Sequence, residues 1–118
     1  MLSALLLSTV LLGVSYEDAY HQANTEKSPL IIYIGAEWCG PCKVNRPILH
    51  KVYSRYVYLD ADEDNKRVYQ LMKEDDAIPR LIFFFKKSGQ WYRKQDLVGV
   101  QTENIIEKFL ELENPRLP

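Results

Sequence analysis

The two cysteines of this chain stand three positions apart in the segment Trp38-Cys39-Gly40-Pro41-Cys42, and the sequence contains no other cysteine. They follow an apolar run and open a stretch with helical spacing, so we expect them at the N-terminus of a helix. Free N–H groups and partial positive charge at that position favour a thiolate at Cys39. A thiolate attacks disulfides, and Cys42 is placed to displace the reduced product. The pattern predicts thiol–disulfide exchange, with Cys39 as an exposed nucleophile and Cys42 as the resolving thiol.

The elements that must position these cysteines alternate along the chain. A helix is expected after the capping-box pattern of Ser15 to Asp18, and a helix from about Cys39 to Tyr53 contains Pro47. Continuous apolar runs predict buried strands, and Ser88-Gly89 predicts a hairpin turn. The remaining predicted elements are strands at Leu30–Ile34, Tyr56–Leu59, Leu81–Phe85 and Trp91–Val100, a helix with Val68, Leu71 and Met72 on one face, and a helix capped by Thr102 with a stripe of Ile105, Ile106, Phe109 and Leu110. This order predicts an α/β fold around a mixed sheet.

The segment from Ala36 to Lys43 resembles the thioredoxin family, and the resemblance covers roughly residues 15–113. It recurs at Pro47-Ile48-Leu49, at Ile78-Pro79 and at Leu97-Val98-Gly99-Val100. It implies the thioredoxin fold, with four to five strands flanked by about four helices. It also implies an enzyme that reduces protein disulfides through a mixed disulfide at Cys39, which Cys42 resolves. Such an enzyme needs no bound cofactor beyond the redox-active Cys39–Cys42 disulfide.

The resemblance also implies a set of substrate-binding residues around the cysteines. Pro79 is expected after a cis peptide bond facing the disulfide, and the backbone of Ile78 is expected to pair with the substrate. Trp38 is expected beside Cys39 on the docking surface. Gly99 would leave a groove for a substrate strand, whereas its alternative interpretation is a bulge or bend.

Further residues are expected to support the active site. Gly40 and Pro41 separate the cysteines, and this pair is found in reductants of the fold. Lys43 is expected to add positive potential, with an ordinary surface lysine as the alternative. Arg80 stands where the family usually has threonine, and we expect either a substrate-binding cation near the mouth of the site or a solvated charge.

One part of the family pattern is missing. The family buries an aspartate in the second strand as a proton relay for the deeper cysteine, and this position falls on Tyr33. The lysine of the next strand falls on Tyr56 or Tyr58. Without the carboxylate, Cys42 needs another base, such as water or Glu37. We therefore expect slower resolution and a shifted reduction potential.

The N-terminal segment allows two interpretations. Residues 1–14 are apolar and uncharged, and we separate them from a thioredoxin domain at residues 15–118. They are of signal-peptide length but lack a basic n-region, and they are short for a membrane span. The alternative makes Val10 to Val14 the first strand of the domain. The strand favours a cytoplasmic protein, and a signal segment would mean an exported or membrane-anchored one.

Composition excludes several other classes of protein. The 118 residues suffice for one domain, and the formal net charge of −1 gives no footprint for nucleic acid or an anionic membrane. A zinc site would need four ligands, and the two histidines, His21 and His50, are far apart in sequence. Asp60 to Asp64 imitates the start of a calcium loop, but the required glycine and glutamate are replaced by Asn65 and Leu71. We expect no metal.

The expected partners are proteins with disulfides and an electron donor. The resemblance implies a flavin-containing thioredoxin reductase as donor, or a membrane electron carrier if the chain is exported, and a monomer is the family default. Two alternatives stay open. One is an exported disulfide oxidase or isomerase, and the other is a non-catalytic, thioredoxin-fold binding subunit of a larger assembly.

Overall fold

The structure, a computed structural model, describes residues 12–26 and 28–111. Within these ranges it contains four helices and five strands. In chain order they are α1 (Tyr16–Glu26), β1 (Leu30–Gly35), α2 (Gly40–Val52), β2 (Val57–Asp60), α3 (Asn65–Met72), β3 (Arg80–Lys87), β4 (Gln90–Arg93), β5 (Leu97–Val98) and α4 (Glu103–Glu111).

The strands form one mixed sheet in the order β2-β1-β3-β4, and β5 pairs with the first residues of β3. The β1–β2 pair is parallel, and β3 is antiparallel to β1, β4 and β5. Parallel strands need a crossover, which α2 provides between β1 and β2. The predicted fold class is confirmed. Tyr33 and Tyr58 are register partners at the centre of the β1–β2 pair.

Side chains of β1 alternate between two hydrophobic clusters, because successive residues of a strand face opposite sides of the sheet. One face packs against α1 and α3, and the other packs against α2 and α4. The buried members of the first cluster are Ala19, Ala23, Leu30, Ile32, Ile34, Val57, Leu59, Val68, Met72 and Ile82. Those of the second are Ile31, Tyr33, Leu49, Tyr56, Leu81, Phe83, Ile106 and Phe109. Burial of each large aliphatic side chain contributes about 1.5–3 kcal/mol, which makes β1 a firm support for the segment that follows it.

Both predicted helix caps are present. The Asp18 N–H donates to Ser15 Oγ at 3.1 Å, and the Ile105 N–H donates to Thr102 Oγ1 at 3.3 Å. The predicted stripe of α4 is wrong at Ile105, which is exposed, whereas Ile106 is buried. Adjacent helical residues point about 100° apart, so the face that buries Ile106 turns Ile105 toward solvent.

The predicted returning strand from Trp91 to Val100 is divided. The hairpin turn is present, with positive φ values at Ser88 and Gly89, but β4 ends at Arg93 and β5 begins at Leu97. Between them, Asp96 accepts hydrogen bonds from Arg93 and Arg80. Asp96 thus lies in the break between β4 and β5 and pairs with both cations.

The chain before α1 lies against the start of β2. The Val14 N–H donates to Tyr56 O at 2.9 Å, and a Cβ on Gly13 would lie 2.3 Å from the same oxygen. Residues 12–15 form no strand, and the rest of the segment for which a strand or a signal was predicted lies outside the described residues. Among the helices described, none has the length and apolar character needed to cross a membrane.

Candidate active site

The two cysteines form a disulfide at the start of α2. Cys39 is the N-cap residue, the S–S distance is 2.13 Å, and the two Cα atoms are 5.2 Å apart. Cys39 Sγ accepts a hydrogen bond from the Cys42 N–H at 3.1 Å. A serine or aspartate side chain commonly plays this part at a helix N-terminus. An N–H directed at the sulfur, together with the helix dipole, stabilises negative charge at Cys39.

The prediction that Cys39 is exposed is wrong in this disulfide state. Cys39 is 5% exposed and Cys42 3%. Ala36 is buried with them, and Ala61 and Ile78 pack against the three. The nucleophile is recessed because these neighbours cover the sulfurs. Trp38 beside them is 68% exposed.

Trp38 is held by a residue that the sequence analysis did not assign to the site. Its Nε1 donates to Asp62 Oδ2 at 2.7 Å. Asp62 is in turn placed by Asp60, a buried carboxylate that accepts the N–H groups of Asp62 and Glu63. The acidic segment after β2, which imitated a calcium loop, thus organises a turn beside the tryptophan.

Gly35 and Gly40 lie near the cysteines and differ in how much space a side chain would have there. A Cβ on Gly35 would lie 3.2 Å from Cys42 Cβ and 3.4 Å from its Sγ, so Gly35 leaves space for the disulfide. A Cβ on Gly40 would meet no atom within 4 Å. The space around Gly40 therefore does not require glycine. Pro41 stands in the first turn of α2, where a missing N–H breaks no helical hydrogen bond.

A cavity of about 210 Å³ lies beside the deeper cysteine. Residues from β1, β2, α2 and the loop before it form its wall: Tyr33, Ala36, Glu37, Cys42, Lys43, Arg46 and Tyr58. Glu37 and Lys43 are exposed at its rim, so the cavity connects the resolving thiol with ionisable groups and with solvent.

Tyr33 and Tyr58 stand side by side where an aspartate and a lysine were expected from the resemblance. Tyr58, one of the two candidates for the lysine position, is the register partner of Tyr33, and the two rings lie 6.2 Å apart with 29° between their planes. The Tyr33 hydroxyl donates to the Cys42 carbonyl oxygen at 3.0 Å. Burial, and then the neighbouring Tyr58, raise the pKa of Tyr33 far above its usual value. Tyr33 is therefore a neutral hydrogen-bond donor and cannot act as a base at neutral pH.

Burial and the nearby Asp60 carboxylate also raise the pKa of Tyr58. Its hydroxyl approaches Asp60 Oδ2 at 3.5 Å, the outer limit for a hydrogen bond. Both phenols stay protonated and neutral at neutral pH. The tyrosines therefore supply neither the negative nor the positive charge of the aspartate–lysine pair that the resemblance implies.

Arg46 packs against Tyr56 and Tyr58 and was missed by the sequence analysis. Its guanidinium carbon lies 3.9 Å from the centre of the Tyr58 ring, and its Nε donates to the Tyr56 hydroxyl at 2.9 Å. His50 Nδ1 lies 3.0 Å from the same hydroxyl. The signal was available in the sequence: Arg46 follows Cys42 by four residues, and such pairs share a helix face.

The loop before β3 closes the other side of the cysteine pair. The Ile78–Pro79 peptide bond is cis, Ile78 packs against the cysteines, and Pro79 is fully buried. The Pro79 carbonyl oxygen accepts the Gly99 N–H at 2.8 Å. Gly99 has a φ of 92°, so its position beside β3 favours glycine for backbone reasons.

Arg80 is neither an exposed cation at the mouth of the site nor a solvated charge, because its side chain is buried. It is 5% exposed, and its guanidinium pairs with Asp75 at 2.8 Å and with Asp96 at 2.7 Å. Its Nε also donates to Ala77 O at 3.2 Å. These three partners turn the side chain inward, so Arg80 joins the loop before Pro79 to the segment before β5.

Metal binding finds no support in the part of the chain that the structure describes. Residues 12–26 and 28–111 contain no group of three or more histidine, cysteine, aspartate or glutamate side chains that could hold an ion.

A family model described as Thioredoxin matches residues 12–112 of the chain. The chain belongs to the thioredoxin family. It is 34% identical over 86 residues to the thioredoxin of Pongo abelii, covering 70% of this chain and 78% of that one. It is 30% identical over 103 residues to a mitochondrial thioredoxin of Bos taurus, covering 84% of this chain. This chain spans only 58% of that bovine relative.

Solved thioredoxin structures share the fold at low sequence identity. A mutant thioredoxin from Halobacterium salinarum superposes with a TM-score of 0.68 at 20% identity, covering 91% of this chain and 93% of that one. Thioredoxins act on disulfide-containing substrates and need no cofactor beyond the redox-active disulfide. Family membership and the C-x-x-C disulfide together support thiol–disulfide oxidoreductase activity.

Proposed function

We propose that this chain reduces protein disulfides by dithiol–disulfide exchange. The observation that carries the proposal is the cap geometry of Cys39, whose sulfur receives the Cys42 N–H at 3.1 Å at the positive end of α2. Such a position favours the thiolate, which is the attacking species. Cys42 follows within the same helical turn and forms the disulfide with Cys39.

The reaction has two balanced exchange steps. The Cys39 thiolate attacks one sulfur of a substrate disulfide, forms the mixed disulfide and releases the first substrate thiolate. Cys42 loses its proton and attacks Cys39 Sγ, so that the Cys39–Cys42 bond forms and the bond to the substrate breaks. The electron pair of that bond leaves with the second substrate sulfur. The substrate gains two electrons, and the cysteine pair loses two.

The proton of Cys42 leaves through the cavity in this proposal. Tyr33 cannot accept it, because burial keeps the phenol protonated. Glu37 lines the same cavity at its exposed rim and supplies a carboxylate that accepts the proton through solvent. Glu37 thereby takes over the part of the family's buried aspartate from a more exposed position.

Substrate docks, in this proposal, across the surface next to the recessed disulfide. Trp38 offers an exposed ring that Asp62 holds in place, Ile78 and Pro79 offer the loop that packs on the cysteines, and Gly99 adjoins that loop. Gly40 and Pro41 shape the first turn of α2, and Lys43 adds positive charge near the cysteines. Arg80 is left out of this surface because it is buried.

A flavin-containing thioredoxin reductase is the proposed electron donor, and the reducing cytoplasm is the proposed compartment, because it keeps such thiol pairs reduced. A membrane electron carrier would replace the reductase if residues 1–14 direct export. A monomer suffices for the proposed chemistry, since both cysteines come from one chain.

The test is reduction of insulin disulfides by the full chain, with dithiothreitol as the electron source. We expect catalysed reduction by the parent protein and none by Cys39→Ser or Cys42→Ser. The two variants form a matched pair: Cys42→Ser should accumulate a covalent adduct with a disulfide substrate, and Cys39→Ser should not. An adduct of equal yield in both variants would contradict Cys39 as the nucleophile. A parent protein that binds partners but reduces nothing would indicate the non-catalytic subunit.

A further inference from the structure

We propose that Arg46 is the positioning residue that favours the thiolate of Cys42 during resolution. The inference rests on the proposed function, since it concerns the second exchange step. Arg46 and Cys42 share the wall of one cavity, and they stand four residues apart on α2. Helical residues at this spacing are neighbours, and side chains lean toward the helix N-terminus. Arg46 therefore lies on the face of α2 that carries Cys42, in the wall of the same cavity.

Arg46 is held firmly in that position. Its guanidinium carbon lies 3.9 Å from the centre of the Tyr58 ring, and its Nε donates a hydrogen bond to the Tyr56 hydroxyl. Tyr58 belongs to β2, and Tyr56, immediately before this strand, is fully buried. A charge fixed in this way needs little rearrangement when the thiolate forms, which is the condition for effective electrostatic stabilisation.

The other ionisable groups around Cys42 do not supply the same effect. Tyr33 and Tyr58 on the sheet are neutral phenols, and Asp60 directs its carboxylate to the N–H groups of its own turn. Glu37 and Lys43 at the rim carry opposite charges and are exposed, so solvent screens them. His50 Nδ1 lies 3.0 Å from the Tyr56 hydroxyl that also accepts the Arg46 hydrogen bond.

The expected size of the effect follows from two opposing trends. A cation within about 4–6 Å favours the charged form of a group by one to three pKa units, and the low end corresponds to a tenfold larger thiolate fraction at neutral pH. A thiolate with a higher pKa is also more nucleophilic. A rise of one pKa unit increases its rate of attack about threefold, because the Brønsted slope is about 0.4–0.5. Arg46→Gln should therefore slow resolution about threefold at neutral pH. At alkaline pH, where both proteins are ionised, the variant should be the faster one.

The experiment mixes the reduced full chain with a symmetrical aromatic disulfide that releases a coloured thiolate, 5,5′-dithiobis(2-nitrobenzoate), in a stopped-flow instrument over a range of pH. The first coloured thiolate reports attack by Cys39, and the second reports resolution by Cys42. We expect Arg46→Gln to change the second phase as described, with crossing pH–rate curves, and to leave the first phase within about twofold. Arg46→Lys retains the charge and should restore most of the neutral-pH rate.

Two controls separate the charge from folding. Lys51→Gln removes one positive charge from the same helix at a residue that pairs with the exposed Glu103, and it should leave both phases unchanged. His50→Asn removes the histidine beside Tyr56 and should preserve the crossing behaviour. If Arg46→Gln fails to fold, Arg46→Met retains the alkyl packing on Tyr58 and takes its place.

The outcomes distinguish the two proposals. A missing first phase in the parent protein would contradict Cys39 as the nucleophile, and with it the proposed function. Two normal phases in the parent, combined with a uniform slowing of the second phase in Arg46→Gln at every pH, would overturn the role of Arg46 alone. Failure of Arg46→Lys to restore the rate would do the same.

Discussion

Arg46 and Arg80 occupy the two regions that adjoin the cysteine pair, and they use the same chemical group differently. Arg80 is buried between Asp75 and Asp96 and fastens the loop that carries Pro79. Arg46 lies against the rings of Tyr56 and Tyr58, in the wall of the cavity that also contains Cys42. The Arg80 guanidinium pairs with carboxylates that join two loops, and the Arg46 guanidinium packs on aromatic rings in the cavity wall that it shares with Cys42.

The difference teaches that the surroundings of an arginine decide its contribution. Between two carboxylates at less than 3 Å, the charge of Arg80 is compensated locally, and its removal breaks both ion pairs. The contacts of Arg46 with the Tyr56 and Tyr58 rings contribute more modestly to stability, about 0.5–2 kcal/mol. We therefore expect Arg80 to matter mainly for folding and Arg46 mainly for the pH dependence of resolution.

The largest expected effect is the loss of stability in Arg80→Met. Breaking a buried ion pair commonly costs 3–5 kcal/mol, but Asp75 is largely exposed and Asp96 keeps Arg93. We expect the free energy of unfolding to fall by about 2–3 kcal/mol, measured by urea denaturation. Arg93→Met, the control on the more exposed partner of Asp96, should cost about 1 kcal/mol or less. Equal losses of unfolding free energy in Arg80→Met and Arg93→Met would contradict a special contribution of Arg80 to folding.

A smaller loss of stability is expected in Tyr33→Phe, and this variant also tests whether Tyr33 affects the ionisation of Cys42. Tyr33→Phe removes the hydrogen bond to the Cys42 carbonyl oxygen and keeps the ring. We expect the free energy of unfolding to fall by about 1 kcal/mol. The pH profile of the second kinetic phase should follow that of the parent protein, because the phenol does not ionise near neutrality. A displaced profile would transfer the electrostatic role from Arg46 to Tyr33.

Acid titration tests the Arg80 side of the comparison. The hydrogen bond from Arg80 lowers the pKa of Asp75, so the stability from this pair is present above the unfolded pKa of about 3.9. It is lost as the pH falls through the lower folded value. Asp75→Asn should be less stable than the parent at neutral pH, and the gap should close below about pH 4. The exposed neighbour variant Asp76→Asn should stay within about 0.5 kcal/mol; a gap in Asp75→Asn that persists at low pH would contradict the pairing.

The smallest stability effect is expected at Asp62, outside both arginine regions. Asp62→Ala removes the acceptor that holds the exposed Trp38. We expect the free energy of unfolding to change by about 0.5 kcal/mol or less, because the bond is exposed. The KM for insulin should rise while the rate of the first coloured phase stays near that of the parent. Glu63→Ala is the matched control on the same turn, and an equal rise in KM there would exclude a specific role for Asp62.

Local patterns were enough to predict most of the fold. The apolar run of β1 and the caps at Ser15 and Thr102 depend on residues within a few positions of each other. The two cysteines are also only three positions apart, so their disulfide chemistry could be predicted from the sequence. The break in the returning strand was missed, and the Asp96–Arg80 contact found there joins residues 16 positions apart.

The wrong or missing site residues depend on distant contacts. Arg80 was expected near the mouth because sequence does not show that Asp75 and Asp96 converge on it. The burial of Cys39 depends on Ala61 and Ile78, which come from two other parts of the chain. Asp62 and Gly35 acquire their roles through Trp38 and Cys42 in the same way. Arg46 is the exception, because its spacing from Cys42 was readable on the helix.

The reduction potential of the Cys39–Cys42 pair tests the central claim most directly. It is measured by equilibrating the full chain against redox buffers of dithiothreitol or glutathione and counting free thiols. A reductase of this family is expected near or below about −250 mV, at the reducing end of the scale for such proteins. A value above about −200 mV would contradict the account and indicate an oxidase or isomerase instead.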